Sequence, residues 1–395
     1  MTKTKNFSDS TLYINFKSIQ DNYLLLKSKA QAAETAAVVK ANGYGLGVRE
    51  VSAALWEAGA RVFFVATLDE ALELRTIFPP RVSFPRRRES ITTSREISQK
   101  SQGLWNMDSR LRGNDKNIEI LVFNGIRPGQ ESIFHKNKIT PVLNTLAGTK
   151  LWTKYCRKIG EKIPAALHVD TGINRLGLSI KEAETNAAEI NAQIQVKYLM
   201  SHLACADIPE HPKNTEQLKA FNRIRKFFPD ALKSLANSAG ILLADCYHFD
   251  LVRPGIALYG GNEMKPVISL HSKIIQLRKI DRREAVGYGA TAYAAKGSVI
   301  ATVPVGYADG YLRHLSNSGY CFIDGVKVPV IGRVSMDLIT LNVSGIAEKN
   351  LMLGKEVELI GKHLSIDEIA GRAGTIGYEI LTRLGARFNR VYLEK

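Results

Sequence analysis

Short apolar runs alternate with segments of helical periodicity through the first two thirds of the chain. The apolar runs are continuous, which is typical of parallel strands that are buried on both faces. Eight such runs occur, in AAVVKANGYG, RVFFVATLD, IEILVFNGI, KITPVLN, PAALHVDTG, VKYLMSHLACA, KSLANSAG and HFDLVRPGIALYG. Most are followed by a helical segment such as VREVSAALWEAGA. Repeated strand–helix units over about 250 residues predict an α/β fold, a (β/α)8 TIM barrel, which we place at residues 17–266.

The pattern changes at about Val267. The sequence that follows contains short strands broken by Gly and Asp-Gly, as in GSVIATVPVGYADGY and GYCFIDGVKVPVIGRVSMDLITLNV, and few helical segments. This pattern predicts a mostly-β C-terminal domain at residues 267–395. We expect the N-terminal strand, within residues 1–16, to join that domain.

A basic stretch at residues 82–117 interrupts the barrel pattern. It follows the second helix and precedes the third strand, so it is predicted to be an α-to-β loop on the face opposite the catalytic one. An insertion there costs little closure entropy, because that penalty grows only logarithmically with loop length. We therefore expect an exposed loop that takes no part in the chemistry.

Two segments of the same stretch can be encoded by DNA sequences that are reverse complements of each other. SFPRRRES (83–90) can be encoded by the frame-shifted reverse complement of codons for DSRLRGND (108–115). An inverted DNA repeat translated in frame gives such a pair. The stretch resembles translated palindromic repeat elements found inside some bacterial genes, and this reading is favoured over a selected nucleic-acid arm.

Composition and charge narrow the class of protein. The net charge of +16 is compatible with nucleic-acid binding, but outside 82–117 no basic run is interleaved with aromatic residues. A solvated basic surface, with no nucleic-acid partner, is favoured. No apolar run approaches the roughly 18 residues of a membrane span, and the start lacks a signal-like apolar region. The four cysteines are scattered, so we expect neither disulfides nor a metal site, and a cytoplasmic location.

Polar side chains follow several predicted barrel strands. Lys40 ends the first strand among small residues that leave space for a cofactor, with which its amine could form a Schiff base. The amide groups of Gly255 and Ile256 offer a phosphate site. Because the carboxyl ends of barrel strands share one face, the side chains that follow the other strands are expected near Lys40; these are Arg175, His202, Asn237, Ser238 and Arg253.

These motifs together resemble alanine racemase, a pyridoxal-phosphate enzyme of fold type III. VVKANGYGLG resembles the cofactor-lysine signature of that family, which is highly specific. The resemblance covers nearly the whole chain except about 81–117. It continues through HVDTGINRLG, SHLACAD, NSAG, VRPGIALYG, VGYGATAY, VPVGYADGY, GRVSMD and GTIGYEILTRLGAR.

The resemblance implies a role for each matched residue. Lys40 and Tyr288 would be the two catalytic bases, and Arg175 and the backbone amide of Met336 would bind the substrate carboxylate. Lys40 would also hold pyridoxal 5'-phosphate, with further cofactor contacts from Tyr44, His202, Asn237, Ser238, Arg253, Gly255, Ile256 and Tyr378. The substrate entrance would be lined by Tyr307, Asp207, Arg313, Arg333 and Asp337.

The resemblance also implies an assembly and a biological role. Tyr288, Tyr307 and Met336 would come from a partner subunit, so the expected form is a homodimer with shared active sites. Tyr307 and Tyr378 would narrow the entrance to admit little more than the methyl group of alanine. The expected reaction is the interconversion of L-alanine and D-alanine, which supplies D-alanine for peptidoglycan.

The sequence departs from the family pattern at His168. Many members have a carbamylated lysine seven residues before the arginine, and a neutral histidine brings no negative charge to hold Arg175. A bound chloride or a different hydrogen-bond partner could replace it.

Several alternatives remain open from the sequence. They are a racemase of broader specificity that takes serine or other small amino acids, a decarboxylase of the same fold type, a non-catalytic cofactor-binding barrel, an enzyme disabled by its insertion, and a nucleic-acid binder. The decarboxylase and the non-catalytic barrel are disfavoured, because the chain has the second domain and its tyrosine motifs.

Overall fold

The computed structural model describes residues 8–79 and 118–394. The predicted insertion at 82–117 lies outside the described residues. The helix Leu68–Ile77 ends before this gap and the strand Glu119–Val122 begins after it.

Eight parallel strands form the barrel of the first domain. Their neighbours in the sheet are those that follow them in the chain, and several, such as Val62–Val65, are buried at every position. The first strand is interrupted at Ala36. The strands are Glu34–Thr35 with Ala37–Val38, Val62–Val65, Glu119–Val122, Ile139–Leu143, Pro164–Asp170, Gln195–Met200, Leu232–Ser234 and Leu251–Val252.

Backbone hydrogen bonds close the sheet on itself. The amide of Ala36 donates to the carbonyl of Val252 at 3.0 Å, which joins the last strand to the first. On its other side, the amide of Arg253 donates to the carbonyl of Ala236 at 2.9 Å. The prediction of a closed (β/α)8 barrel is confirmed.

Helices cover the outside of the barrel and begin at sequence-encoded caps. The Thr67 hydroxyl oxygen accepts a hydrogen bond from the Glu70 amide, and the Glu70 carboxylate accepts one from the Thr67 amide. This capping box fixes the start of the helix Leu68–Ile77. The described helices of this domain are Phe16–Lys29, Val48–Glu57, Leu68–Ile77, Glu131–Lys136, Leu146–Ile159, Ile180–Gln193, Pro212–Ile224 and Ser238–Leu243, with a helical turn at Lys40–Tyr44 and a 3-10 turn at Ile256–Tyr259. Within the described ranges, no helix has the length and apolar character needed to cross a membrane.

The second domain is mostly β, as predicted. One sheet has six strands in the order Val326–Pro329, Tyr320–Ile323, Glu356–Ile360, Ile268–Lys273, Thr11–Asn15 and Asn389–Leu393. A second sheet consists of Gln276–Lys279, Val299–Val303 and Ile339–Asn342, and a hairpin pairs Glu284–Val286 with Ala292–Ala294. Two short helices, Ile366–Arg372 and Gly377–Thr382, precede the last strand.

The N-terminal strand Thr11–Asn15 belongs to the six-stranded sheet. It pairs antiparallel with Ile268–Lys273 and parallel with Asn389–Leu393. The helix Phe16–Lys29 begins directly after it and packs on the barrel. This N-terminal strand therefore belongs to the second domain, although it precedes the barrel in the sequence.

Candidate active site

Lys40 begins an unusual turn at the carboxyl end of the first barrel strand. Residues 41–44 all have φ between 54° and 61°, although only Gly43 is a glycine. Left-handed backbone costs a non-glycine residue about 1–2 kcal/mol, so neighbouring groups must hold this turn. One of them is the side chain of Asn42, which accepts a 2.8 Å hydrogen bond from the amide of Val48.

Glu70 holds the start of the same turn. Its carboxylate accepts hydrogen bonds from the amides of Ala41 and Ala66, each at 2.7 Å. The carboxylate that caps the second barrel helix therefore also joins the first and second loops of the barrel mouth. This contact fixes the residue next to Lys40.

The Lys40 amine lies in a desolvated, cationic environment. Burial lowers its pKa, and the nearby Arg175 guanidinium lowers it further. Among the described residues, no carboxylate forms an ion pair with Lys40, Arg175 or Arg253. Three unneutralised cations in one barrel mouth favour an anionic ligand.

Arg253 is buried inside the barrel with one donor unused. Its Nη2 donates to the carbonyl of Ser201 at 2.5 Å and its Nη1 to the hydroxyl of Ser234, whereas its Nε is buried without a partner in the described structure. Burial lowers the pKa of Arg253 to about 9, so it stays cationic at neutral pH. The free Nε–H can donate to a ligand acceptor, and an unmet buried donor is costly.

A candidate anion site lies between the last two strands. The Ser238 hydroxyl accepts hydrogen bonds from the amides of Gly255 at 2.8 Å and Ala257 at 3.3 Å. A Cβ on Gly255 would lie 2.3 Å from the Tyr44 hydroxyl oxygen, so only glycine allows this approach. Because its oxygen accepts from both amides, the Ser238 hydroxyl has its own proton to donate to a ligand, at the start of the turn Ile256–Tyr259.

The predicted cofactor residue Asn237 has a structural function in this structure. Its side chain accepts a 2.9 Å hydrogen bond from the amide of Gly240 and caps the helix Ser238–Leu243. The cap sets the position of Ser238, the residue that contacts the anion site. A cap of this kind contributes about 1 kcal/mol.

Two histidines near the mouth are kept neutral. Desolvation, with Arg253 and Arg175, holds the pKa of His202 well below its usual range, and desolvation with Arg253 lowers the pKa of His168 to about 4. Asn144 donates from its Nδ2 to the carbonyl of Phe123 at 2.7 Å, so its oxygen faces His168 Nδ1 at 2.9 Å. Nδ1 must therefore carry the proton, which leaves Nε2 as a buried acceptor without a partner in the described structure.

Asp170 shapes the loop that carries Arg175. Its carboxylate accepts from the amides of Gly172 at 2.7 Å, Ile173 at 2.9 Å and Arg175 at 3.2 Å. The Arg175 side chain itself is exposed at the mouth. The backbone of Arg175 thus has a defined anchor at the end of its own strand, whatever contacts its guanidinium makes.

Tyr378 brings the second domain to the barrel mouth. It lies on the helix Gly377–Thr382, and its ring centroid is 6.1 Å from that of Tyr44. Burial raises the pKa of Tyr378, and the charge of Asp207 contributes to this rise, so Asp207 is also nearby. The structure therefore brings both predicted residues to the mouth.

A separate group of predicted site residues lies on the second domain. Tyr288, Tyr307 and Met336 are 73%, 43% and 54% exposed. The Tyr307 amide donates to the Ser335 carbonyl at 3.0 Å, next to Met336. Across 8–79 and 118–394, no hydrogen bond, ion pair or ring contact joins these three side chains to the barrel mouth.

The predicted entrance residues on the second domain belong to this exposed group. Arg333 lies beside the Tyr288 turn, where a Cβ on Gly289 would be 2.9 Å from the Arg333 guanidinium. Asp337 follows Met336, and the exposed Arg313 is on the turn Arg313–Leu315. Within one chain the predicted site residues therefore form two separate half-sites, one at the barrel mouth, which includes Tyr378, and one exposed on the second domain.

Several residues that position the site were not found from the sequence. Glu70 could have been, because Thr67 three residues before it is a capping-box signature. Asn144 and the buried Gln217, which donates to the His202 carbonyl at 2.8 Å, give no such local signal. Arg387 is another such residue, since its partners lie far away in the chain.

Comparisons with known proteins agree over both domains. Residues 14–263 match the family described as alanine racemase, N-terminal domain, and residues 267–392 match alanine racemase, C-terminal domain. An alanine racemase of Rickettsia akari is 41% identical over 387 residues, covering 97% of this chain and 99% of that protein. One of Rhodospirillum rubrum is 42% identical over 391 residues, covering 96% and 95%.

Solved structures show the same architecture. The alanine racemase of Bartonella henselae, solved with covalently bound pyridoxal phosphate, has a TM-score of 0.85 and 35% identity, and the match covers 97% of this chain and 99% of that one. The biosynthetic alanine racemase of Pseudomonas aeruginosa has a TM-score of 0.81 and 32% identity, with 98% and 99% covered.

Proposed function

This chain belongs to the alanine racemase family and is an amino-acid racemase; on that premise we propose that it interconverts L-alanine and D-alanine with pyridoxal 5'-phosphate and two protein bases. One observation carries the proposal. The Lys40 amine, with its lowered pKa, shares the barrel mouth with cations that no described carboxylate pairs and with the unused Nε–H of Arg253.

The residues present fit this cofactor. The Lys40 amine can bond to its aldehyde carbon, and the Arg253 Nε–H can donate to its ring nitrogen. The Ser238 hydroxyl, the amides beside Gly255 and the Tyr44 hydroxyl suit its phosphate. When bound, pyridoxal phosphate withdraws electron density from the Cα of the attached amino acid, which makes the Cα proton acidic.

Protein side chains would exchange the Cα proton and bind the substrate carboxylate. We propose that the Lys40 Nζ exchanges a proton on one face of Cα and the Tyr288 Oη on the other. Arg175 binds the substrate carboxylate, aided by the Met336 amide. His202 stays neutral, because its pKa is held well below the usual range, and so adds no further positive charge beside the ligand.

A second chain is needed to complete each site. Tyr288, Tyr307 and Met336 are exposed on the second domain and make no hydrogen bond or ring contact with the mouth of their own chain in the described residues. We propose a homodimer in which these residues enter the barrel mouth of the partner. Exposed aromatic and methionine side chains of this kind are enriched at interaction surfaces.

The proposed role follows from the product. D-alanine made by this enzyme would supply peptidoglycan synthesis in the cytoplasm. With Tyr378 at the mouth and Tyr307 entering from the partner, the entrance would admit alanine in preference to larger amino acids. The observed half-sites support this proposal because each carries one of these two tyrosines.

The proposal is tested by following the conversion of L-alanine to D-alanine by the purified chain with pyridoxal phosphate. A version without residues 82–117 is assayed in parallel. Activity in both forms that is lost in Lys40→Ala supports the assignment and shows the insertion to be dispensable. Cofactor binding without alanine turnover in either form would contradict the alanine assignment.

A further inference from the structure

Arg387 joins two segments of the exposed half-site. Its Nε donates to Asp309 Oδ1 at 2.6 Å and its Nη2 to Asp309 Oδ2 at 2.8 Å, while its Nη1 donates to Asp337 Oδ1 at 2.7 Å. The Asp309 carboxylate is almost fully buried, whereas Asp337 is exposed. One guanidinium therefore spans a buried carboxylate and a surface carboxylate with three charge-assisted hydrogen bonds.

Each of these carboxylates lies beside a residue of the half-site. Asp309 ends the turn Tyr307–Asp309 and accepts a 2.9 Å hydrogen bond from the Gly306 amide, so it fixes both ends of the turn that presents Tyr307. Asp337 directly follows Met336 in the chain. Arg387 is therefore bonded to both segments but contacts neither Tyr307 nor Met336 by a hydrogen bond of its own.

The backbone of the two segments is joined as well. The Ala308 amide donates to the Met336 carbonyl at 3.0 Å. A Cβ on Gly306 would lie 2.3 Å from the same carbonyl oxygen, so the segments meet with no spare space. In such a contact a small shift of one segment moves the other, and Arg387 is the side chain that clamps both.

We propose that Arg387 is a positioning residue that sets the spacing of Tyr307 and Met336, and through it the size and carboxylate affinity of the substrate entrance. The inference rests on the proposed function, in which these two residues complete the partner's site. It assigns to Arg387 control of substrate affinity and of selectivity between alanine and the larger serine. Arg387 acts through its two aspartates and does not itself contact the substrate.

The three bonds require arginine. A lysine places one point charge and cannot match a bidentate carboxylate and a second carboxylate at the same time. Arg387→Lys should therefore keep the charge and lose most of the geometry. Arg387→Gln should lose both, which leaves the buried Asp309 carboxylate with its backbone donor alone on this side.

The chain offers a matched control on the barrel. Arg223 binds Glu184 through the same two guanidinium atoms, Nε at 2.6 Å and Nη2 at 2.8 Å, and neither of the two is a proposed site residue. It lies on the helix Pro212–Ile224. Arg223→Gln thus removes a bidentate ion pair of equal geometry without touching the entrance.

The experiment compares full-length holoenzymes carrying Arg387→Gln, Arg387→Lys and Arg223→Gln. The kcat and KM for L-alanine and L-serine and the melting temperature are measured for each. Arg387→Gln should raise KM for L-alanine more than it lowers kcat, and raise the serine-to-alanine ratio of kcat/KM about tenfold. The serine-to-alanine ratio of Arg387→Lys should lie between those of Arg387→Gln and wild type, and Arg223→Gln should keep the wild-type ratio.

A purely structural role predicts a different result. If Arg387→Gln lowers the melting temperature but keeps the wild-type KM and selectivity ratio, the inference is overturned. If Arg387→Gln does not fold, Asp337→Ala removes the outer contact and leaves the Asp309 contact in place, and an unchanged ratio there also overturns it. A wild-type enzyme that does not racemise alanine would instead count against the proposed function, so the two failures are distinguishable.

Discussion

The Glu70 carboxylate accepts a 2.7 Å hydrogen bond from the backbone amide of Ala41, the residue that follows Lys40. One acidic side chain thus caps the helix Leu68–Ile77 and holds the left-handed turn at Lys40, the proposed cofactor lysine. The position of Lys40 therefore depends on a residue from the next strand–helix unit.

Replacing Glu70 should affect both stability and Lys40. Glu70→Ala removes the cap and the acceptor for the Ala41 amide, so we expect a loss of about 1–3 kcal/mol in the free energy of unfolding. Weaker covalent capture of pyridoxal phosphate by Lys40 should accompany it. Urea unfolding and a cofactor titration followed by absorbance measure the two effects.

The matched control is Glu73→Ala on the same helix, where the side chain is exposed. It should change stability by less than about 0.5 kcal/mol and leave cofactor capture unchanged. Equal effects of the two substitutions would argue against the anchoring function of Glu70.

Gly255→Ala should weaken cofactor binding with little effect on the rest of the fold. The added Cβ would lie 2.3 Å from the Tyr44 hydroxyl oxygen, inside the proposed phosphate site. We expect affinity for pyridoxal phosphate to fall about tenfold or more, since displaced phosphate donors lose charge-assisted hydrogen bonds. Equilibrium titration of the apoenzyme measures this change.

Gly371→Ala is the control for that substitution. A Cβ at Gly371 meets nothing within 4 Å, and the residue lies in the helix Ile366–Arg372. Alanine there should stabilise the protein by about 0.5–1 kcal/mol and leave the cofactor affinity as it is. If Gly255→Ala binds pyridoxal phosphate as tightly as wild type, the Tyr44 side chain must move aside without weakening cofactor binding, which would contradict the prediction.

His168 should make the apoenzyme less stable in mild acid. Its pKa is about 4 in the folded chain and about 6.5 when unfolded, so between these values the unfolded state binds more protons. Stability is then highest above pH 6.5 and falls by about 3 kcal/mol as the pH drops to 4. Unfolding free energies measured across this range test the prediction.

His168→Gln keeps a donor for Asn144 but does not titrate. Between pH 6.5 and pH 4, the unfolding free energy of the variant should fall by about 3 kcal/mol less than that of wild type. Parallel curves would mean that His168 gains a proton without cost, in conflict with its burial and its neighbouring cations.

Mixing two inactive variants should restore activity if the sites are shared. Lys40→Ala and Tyr288→Phe should each abolish or strongly reduce racemisation. In a mixed dimer one site would combine the intact Lys40 of one chain with the intact Tyr288 of the other. Co-refolding the two variants in equal amounts should therefore recover about a quarter of the wild-type activity, measured as D-alanine formed.

Two results would contradict this prediction. No recovery on mixing, with mixed dimers shown to form, would place both bases in the same chain. Full activity of the isolated Tyr288→Phe variant would show that Tyr288 is not the second base.

The barrel could be predicted from the sequence because its strands are buried on both faces. Val62–Val65 and Ile139–Leu143 are buried at every position, and such strands show as uninterrupted apolar runs. The carboxyl ends of parallel strands must share one face, so Lys40, His202 and Arg253 could be placed together from the sequence alone.

The supporting contacts could not be predicted in the same way. Residues 41–44 take a left-handed turn that local propensity disfavours for three of the four, and only tertiary contacts impose it. The proton on His168 Nδ1 follows from Asn144, which is set in turn by the Phe123 carbonyl. Such chains of contacts between separate strands leave no periodic signal in the sequence.

The strand Thr11–Asn15 imposes an order on the making of the molecule. Its two neighbours, Ile268–Lys273 and Asn389–Leu393, are translated after the whole barrel. During synthesis from the N-terminus this strand leaves the ribosome with both edges unpaired, while the barrel beside it can already fold. This strand is therefore among the last of the described strands to find both of its neighbours, although it precedes them in the chain.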